Sequence, residues 1–575
     1  LKDRDILRKD FIAGLTVALV LIPQSMAYAQ LAGLPPHYGL YASLLPPIVA
    51  AFFGSSRQLA TGPVAMVSLM TAAALEPLAT AGSEAFIAAA VLLSLLVGAI
   101  QLAVGLLRLG VLVNLLSHPV INGFTNAAAL IIASAQLGKL FGVTVRGEGL
   151  FLVVVGRTLH AVADRLHWPT FLMGLLAMGI MVGLKRLAPR SPGILIAVVL
   201  TTFISWLTGF ADQARVTAEA VLHPPFHQAL ARYSQAHTAL AATARLRTEL
   251  QSSFKAAAGG ASPEKRIETA RELALARLAE ERAGVRLKAL REALRRIPLV
   301  RGVDSRGAAR FYGAHDLPDG VAVDQAPWRL EIGTSTPDGE GLILKTGGAV
   351  VGEIPGGVPP IGVPALSFEK ISTLLPYALI IALLGFMEAI SIAKAMAAKT
   401  GQRIEPNREL MGQGIGNLVG GCSASFPCAG SFSRSAVNLQ AGAQSAVASA
   451  VTSLAVLLTL LFFTPLLYHL PQSVLAAVIM MAVAGLINIR GFMHTWRAQW
   501  YDGAISVITF CATLWFAPHL DRGIFLGVGL SLLVFLFRSM RPKIVDLSLG
   551  VDHALHDAVA SGLAECRYSC LLYTS

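Results

Sequence analysis

Four polar side chains lie in stretches otherwise apolar enough to cross a bilayer. Gln24 and Tyr28 fall in Ile22–Pro23–Gln24–Ser25–Met26–Ala27–Tyr28–Ala29, Glu388 follows the run Ala378 to Gly385, and Arg434 sits within Ser431–Phe432–Ser433–Arg434–Ser435. In hydrocarbon an unmet polar group is costly, and a helix-breaking proline such as Pro23 frees a carbonyl that needs a new partner. Both are tolerated where a helix lines a cavity. Gln24 and Tyr28, four residues apart, share one helix face. The amide can orient an oxyanion and the phenol can wall a site, or Tyr28 is simply a packing residue. Intramembrane acids such as Glu388 face the bundle interior and mark ion or proton paths, the alternative being a structural acid bonded to nearby backbone. Arg434 opens a short span, where helix N–H groups and a partial positive charge already favour anions, and its guanidinium adds a full charge and several donors. With a second short span opening after Gly62, two half-helices would aim positive ends at one anion. The other reading pairs Arg434 with Glu388 or with a lipid phosphate.

Other chemistry is sparse. The five cysteines, Cys422, Cys428, Cys511, Cys566 and Cys570, have no metal-like spacing, and Cys422 and Cys428 read as small buried residues. His118–Pro119 and Asn122 are expected to cap a span. No Gly-x-x-x-x-Gly-Lys-Ser/Thr loop occurs, which removes a nucleotide-driven pump within this chain. No cleavable signal peptide is expected, the first apolar span being a first membrane helix. Neither an enzymatic activity nor a cofactor is expected.

The elements that must hold these residues are membrane helices. Hydrophobic residues make up 54% and charged residues 14% of the chain, whereas soluble domains carry roughly 25% charged residues. The net charge of +12 is spread over span ends and one long insertion rather than a single patch, so it argues for membrane topology and against a nucleic-acid partner. Hydropathy places spans near 10–30, 37–53, 62–76, 85–107, 119–140, 168–187 and 191–209, then near 371–395, 409–421, 429–440, 443–465, 473–489, 501–517 and 520–537. Spans 62–76 and 429–440 are too short to cross alone. Lysine and arginine placement assigns the N-terminus, Arg57, Arg108, Lys185, Arg186, Arg190, Lys399, Arg403, Arg408, Arg490, Arg497, Arg538, Arg541 and Lys543 to the cytoplasm. Segment 141–166 runs against that rule and reads as a partly amphipathic external connection. Both termini come out cytoplasmic. Seven spans followed by seven must be inverted, and short spans in corresponding third positions point to a transporter with a midplane site, Gln24 and Glu388 occupying matching places.

Pro36-x-Tyr38-Gly39-Leu40-Tyr41-Ala42-Ser43 with Gly54–Ser55–Ser56–Arg57 resembles the signature of the sulfate permease (SulP) family, bacterial relatives of the solute carrier 26 anion transporters. Thr61–Gly62–Pro63, the run Glu388 to Lys394, Phe426–Pro427 and the run Gly430 to Asn438 are similar to it as well, and Ala50 departs from the preferred pattern. The resemblance covers about 1–210 and 365–545. It implies an all-α polytopic membrane protein of about 14 spans, a 7+7 inverted repeat with core and gate domains and two half-helices meeting at the midplane. Carried over residue by residue, Gln24, Tyr28, Val64, Ala65, Ser433 and Arg434 would touch the anion, and Glu388 matches the acid linked to proton coupling. Members of the family typically form homodimers and end in a cytoplasmic STAS domain.

These readings divide the chain into a first membrane repeat (1–210), an extracytoplasmic insertion (211–365), a second repeat (366–540) and the start of a cytoplasmic region (541–569) leading to a missing STAS domain. In the insertion, apolar residues at helical spacing over 226–244 and 264–297 predict a helical hairpin turning at 259–263. Short strands follow over 310–350, with turns at 318–320 and 337–339. The chain opens on Leu1 rather than methionine, so a fragment is expected. Residues 570–575 can be encoded by TGTCTCTTATACACATCT, which resembles a sequencing-library transposon end, so they are expected to be an assembly scar. The expected function is proton-coupled uptake of sulfate or a similar inorganic oxyanion across a bacterial cytoplasmic membrane. Bicarbonate, a dicarboxylate, chloride exchange, sodium coupling, an anion channel and a non-transporting sensor of the same fold stand as alternatives.

Overall fold

The computed structural model describes residues 4–76, 78–79, 81–110, 118–143, 151–188, 192–258, 262–295, 297–303, 309–313, 322–331, 342–352, 354–364, 368–517, 520–540, 543–549, 555–557 and 567–572. The expected turns at 318–320 and 337–339, most of the turn at 259–263, and Arg146 of the external connection lie outside these residues.

The first stretch runs α1 (Arg4–Leu31), α2 (His37–Ala42), α3 (Leu45–Phe53), β1 (Ala60–Gly62), α4 (Ala65–Leu75), α5 (Glu84–Leu106), α6 (His118–Phe141), α7 (Phe151–Arg165), α8 (Trp168–Leu187) and α9 (Gly193–Leu207). The insertion follows as β2 (Ala211–Val216), β3 (Val221–Leu222), α10 (Pro224–Ala258), α11 (Pro263–Arg295), β4 (Leu299–Val303), β5 (Ala309–Gly313), β6 (Ala322–Glu331) and β7 (Leu342–Gly347). Then come α12 (Phe368–Thr400), α13 (Pro406–Cys422), β8 (Ala429–Ser431), α14 (Phe432–Gln440), α15 (Val447–Leu458), α16 (Thr464–Leu467), α17 (Gln472–Ala484), α18 (Ile489–Ala498), α19 (Trp500–Phe516) and α20 (Leu520–Ser539). The short strands β9 (Lys543–Leu549), β10 (Leu555–Asp557) and β11 (Arg567–Leu572) form a small antiparallel sheet in the order β10-β9-β11.

The chain is a multi-pass membrane protein. Among the described residues seven helices are long and apolar enough to cross a bilayer: Arg4–Leu31, Glu84–Leu106, Pro119–Phe141, Trp168–Leu187, Lys370–Thr400, Val447–Leu467 and Gln472–Arg497. α13 is not among them: it has 17 residues, and Glu409, Gln413 and Asn417 interrupt its apolar character. All three are buried, so α13 spends its polar face on protein, packed against α5 and α3, rather than on lipid. Glycines allow that closeness. A Cβ at Gly98 of α5 would lie 2.6 Å from the Leu418 nitrogen, so no larger residue fits between α5 and α13.

Two expectations need correction. Pro23 does not break α1, which continues as helix on both sides of it. The ring sits buried, and a missing N–H costs one intrahelical bond without forcing the axis to stop. The short spans expected from 62 and 429 open as extended chain. Helix starts only at Ala65 and Phe432, because residues 60–62 and 429–431 pair as β1 and β8, antiparallel, with Ala60 opposite Ser431 and Gly62 opposite Ala429. A buried backbone needs partners, and this three-residue ladder supplies them inside the membrane unit.

The structure divides into two compact units, Leu1–Val199 with Glu353–Tyr468 and Gln472–Ser575, and Leu200–Gly352 with His469–Pro471. In the second, α10 and α11 lie along each other, joined by an Arg247–Glu280 ion pair at 3.2 Å. A six-stranded sheet in the order β2-β7-β6-β4-β5-β3 accompanies them. Strands β2, β3 and β4 lie outside the expected 310–350 segment, since their short runs carry little alternation to read. Buried Phe226, Tyr233, Leu294, Phe311 and Trp328 form this unit's core. The chain enters and leaves it through paired strands, Ala211 opposite Gly347, and the Gly348 N–H donates to the Phe210 carbonyl at 2.9 Å.

Candidate functional site

The β1–β8 ladder brings the starts of α4 and α14 together. α4 follows Val64 and α14 follows Ser431, and neither helix start is capped by a side chain. The first N–H groups of both helices are thus left to other acceptors. Arg434, in the first turn of α14, is fully buried at 0% exposure. Its Nε, Nη1 and Nη2 have no hydrogen-bond partner among the described residues. The guanidinium lies against β1: a Cβ placed on Gly62, whose φ is +149°, would be 3.2 Å from Nη2. Only glycine accepts that backbone and leaves room for the arginine.

Around this guanidinium stand Tyr28 of α1, Cys428 before β8 and Glu388 of α12, each within electrostatic reach of it. Glu388 and Arg434 make no ion pair within 4 Å among the described residues, so the reading in which they neutralise each other directly is not the arrangement found. Leu21 of α1 also reaches the Gly62 position, and Gln24, one turn further on, is 2% exposed with its Oε1 unpartnered. Tyr28, Val64 and Ala65 are buried at 5%, 4% and 7% exposure, and Glu388 is half-buried. Ser433 differs: it is exposed, with its hydroxyl 3.4 Å from that of Ser431. Structure thus gathers Tyr28, Glu388, Arg434 and the two helix starts, sets Gln24 on the adjoining wall, and leaves the Ser433 side chain at the margin. The signature residue Gly39 has a related task. A Cβ there would overlap the Ser25 carbonyl, so glycine lets α2 lie directly on α1 beside Gln24.

What positions these elements was missed in the sequence. Glu409, Gln413 and Asn417 recur every four residues along one face of α13. Glu409 Oε2 accepts from the N–H groups of Ser55 (2.9 Å) and Ser56 (3.0 Å). Gln413 donates to Thr61 of β1 at 2.8 Å. Asn417 donates to the Cys428 carbonyl at 3.0 Å and to Gln101 of α5 at 2.9 Å, and accepts from the Cys428 N–H at 2.8 Å. One helix face therefore fixes the approach to both half-helices. The readable signal was the four-residue spacing of an acid and two amides in a glycine-rich helix, each of which has a partner far off in sequence. Asp10 of α1 acts similarly on the far end of α14, accepting from the Gln444 (2.6 Å) and Ser445 (3.2 Å) N–H groups and from the Ser445 hydroxyl.

The expectation that Asn122 caps a span is not met. Asn122 is buried inside α6, 3.4 Å from the Ser506 hydroxyl of α19, and its carbonyl accepts from Asn126 at 2.8 Å. Asn126 in turn accepts from the Asn488 N–H at 2.7 Å. In an apolar helix an amide gains more from joining three elements than from capping its own. Lys139 near the end of α6 donates to Gln30 of α1 at 3.2 Å. Cys422 is half-buried and Cys428 buried, both as free thiols.

Known proteins resemble this chain over most of its length. Residues 7–246 and 340–509 match the Sulfate permease family. Sulfate transporter 4.1, chloroplastic, of Arabidopsis thaliana is 31% identical over 94% of this chain and 59% of its own length. The sodium-independent sulfate anion transporter of Bos taurus is 30% identical over 99% of this chain and 77% of its own. The chain thus spans about three fifths of the length of the Arabidopsis relative. The solved structure of the murine Solute Carrier 26 family member A9 anion transporter in the inward-facing state shares its fold, with a TM-score of 0.66 and 20% identity over 98% of this chain and 74% of that one. With a family match over most of the sequence and a 30% identical relative covered over three quarters of its length, this chain belongs to the sulfate permease family.

Proposed function

We propose that the chain is a secondary active anion transporter that takes up sulfate or a similar inorganic oxyanion together with protons across a cytoplasmic membrane. One observation carries this reading: Arg434 is wholly buried with three unpartnered guanidinium nitrogens at the meeting point of two uncapped helix starts. A buried, unpaired cation is expensive, and a tetrahedral oxyanion offers it paired acceptors while taking further N–H groups from α4 and α14. In this reading Val64 and Ala65 contribute backbone, Gln24 and Tyr28 wall the site, and Ser433 reaches the anion from its exposed margin. Glu388, near Arg434 but not ion-paired with it, takes the coupled proton, so that acid and anion load the same region. The relatives' names, sulfate transporters of a plant and of cattle, favour sulfate as the cargo. The antiparallel β1–β8 pairing of two strand-then-short-helix segments supports a 7+7 inverted repeat whose two halves move as core and gate.

The test is uptake of labelled sulfate into proteoliposomes under imposed pH gradients. Accumulation driven by an inward proton gradient and lost in Arg434→Ala is expected. Flux that never concentrates sulfate would reject active transport in favour of a channel.

A further inference from the structure

A second basic feature lies outside the Arg434 site, on the side that lysine and arginine placement assigns to the cytoplasm. The chain around Gly54–Gln58, the segment Thr400–Arg408 and the loop Gly442–Ala446 enclose a cavity of about 990 Å³. Arg57, Arg403 and Arg408 all line it. None of the three has a carboxylate within ion-pair distance among the described residues, although Glu405 lines the same cavity. Topology explains why arginines occur on this side. It does not explain why three converge, unpaired, on one concavity at the upper end of the usual range for small-molecule sites, roughly 300–1,000 Å³.

The walls are tied together. Arg57 N–H donates to Gln402 at 3.2 Å, Glu405 N–H donates to the Ser55 hydroxyl at 3.3 Å, and Gln58 donates to the Ala443 carbonyl at 3.1 Å. Glu409 holds Ser55 and Ser56 from beneath. The arginine stems are thus mounted on a cross-linked frame. Phe52, which also lines the cavity, and its neighbour Phe53 are 56% and 54% exposed, so an apolar flank adjoins the basic one.

We propose that this cavity binds a ligand bearing two or more phosphate groups. Three planar guanidinium groups match several phosphoryl oxygens at once, whereas a single small oxyanion engages one or two of them. The same chemistry belongs to a soluble di- or polyphosphate and to a phosphorylated lipid headgroup entering past Phe52.

Two probes separate these sources. The full chain in detergent is titrated calorimetrically with inorganic pyrophosphate, and the chain in phosphatidylcholine nanodiscs with and without phosphatidylinositol bisphosphate is examined by native mass spectrometry. Saturable binding of at least one probe is expected. Each of Arg57→Gln, Arg403→Gln and Arg408→Gln should weaken it roughly tenfold, about 1.4 kcal/mol, while Arg434→Ala retains it. Pyrophosphate binding assigns a soluble ligand, and retention of the lipid alone assigns a headgroup. Lysine at the same positions keeps the charge without the planar fork and should give intermediate affinity, which provides a folded comparison should a glutamine variant express poorly. Failure of both probes, indifference to the glutamine and lysine series, or loss of binding in Arg434→Ala overturns the proposal.

Discussion

Replacing Arg434 with methionine, which fills much of the same space without charge, should separate binding from folding. The buried guanidinium has three unpartnered nitrogens, so its removal takes away an uncompensated charge and no protein hydrogen bond. An unpaired buried charge costs several kcal/mol, so the anion-free variant should be more stable than the wild type, by on the order of 3 kcal/mol. Binding moves the other way. Two charge-assisted hydrogen bonds to one oxyanion, at about 1.5–3 kcal/mol each, sum to about 3–6 kcal/mol, or roughly 10²–10⁴-fold in affinity. Thermal unfolding of detergent-purified protein across a sulfate series reads both effects. Wild type should gain about 2.7 kcal/mol at a hundredfold excess of sulfate over its dissociation constant. Arg434→Met should start higher and gain no more than about 0.4 kcal/mol over the same range. A variant that is less stable without sulfate, or that keeps the full sulfate-dependent gain, would show that the guanidinium serves packing rather than the anion.

Glu388→Gln should leave sulfate exchange intact while uptake into proteoliposomes stops responding to an imposed proton gradient; an unchanged response removes Glu388 from coupling. Gly62→Ala places a methyl 3.2 Å from Arg434 Nη2 at a φ of +149°, so sulfate affinity should fall at least about tenfold in calorimetry, and wild-type affinity would refute the packing assignment. Asn417→Leu strips the Cys428 N–H and carbonyl of their side-chain partner and should lower stability by about 2–4 kcal/mol in thermal unfolding, a loss that Asn417→Ala should share because it follows from the missing amide rather than from leucine's bulk. Excision of 211–347, joining Phe210 to Gly348, should preserve membrane insertion and measurable sulfate uptake, since those two residues are already hydrogen-bonded neighbours; complete loss of transport in a correctly inserted protein would give the insertion an essential role.

Much of the helical layout was legible because a bilayer leaves little choice: an apolar run of sufficient length must be helix. Arg434, Glu388 and Gln24 were legible for the same reason, as polar groups where hydrocarbon penalises them. Their neighbours were harder to see. The tasks of Glu409, Gln413 and Asn417 depend on Ser55, Thr61 and Gln101, and no local pattern names a partner several hundred residues away. An asparagine near a helix start, such as Asn122, is locally best explained as a cap, and only the presence of α19 and Asn488 alters that balance. The start of each short helix was placed three residues early for a related reason. Strand pairing between β1 and β8 is a property of two segments together, and neither segment announces it alone.

That pairing also sets an order of assembly. The Ala60 N–H meets the Ser435 hydroxyl 375 residues later, so the ribosome must deliver most of the chain before α4 can settle. Until then β1 presents unpaired backbone, and α13, the helix that secures it, has not been made. The second unit, of which only His469–Pro471 lies beyond residue 352, has nearly all of its sequence in hand long before the membrane unit closes. Contacts of such long range form late and slowly. A chain arrested before α14 would therefore carry its early helices and nearly all of the second unit, yet not the proposed anion site. Nascent molecules should depend on membrane chaperones through that interval, and the protein should acquire its transport property only in the last stage of its own synthesis.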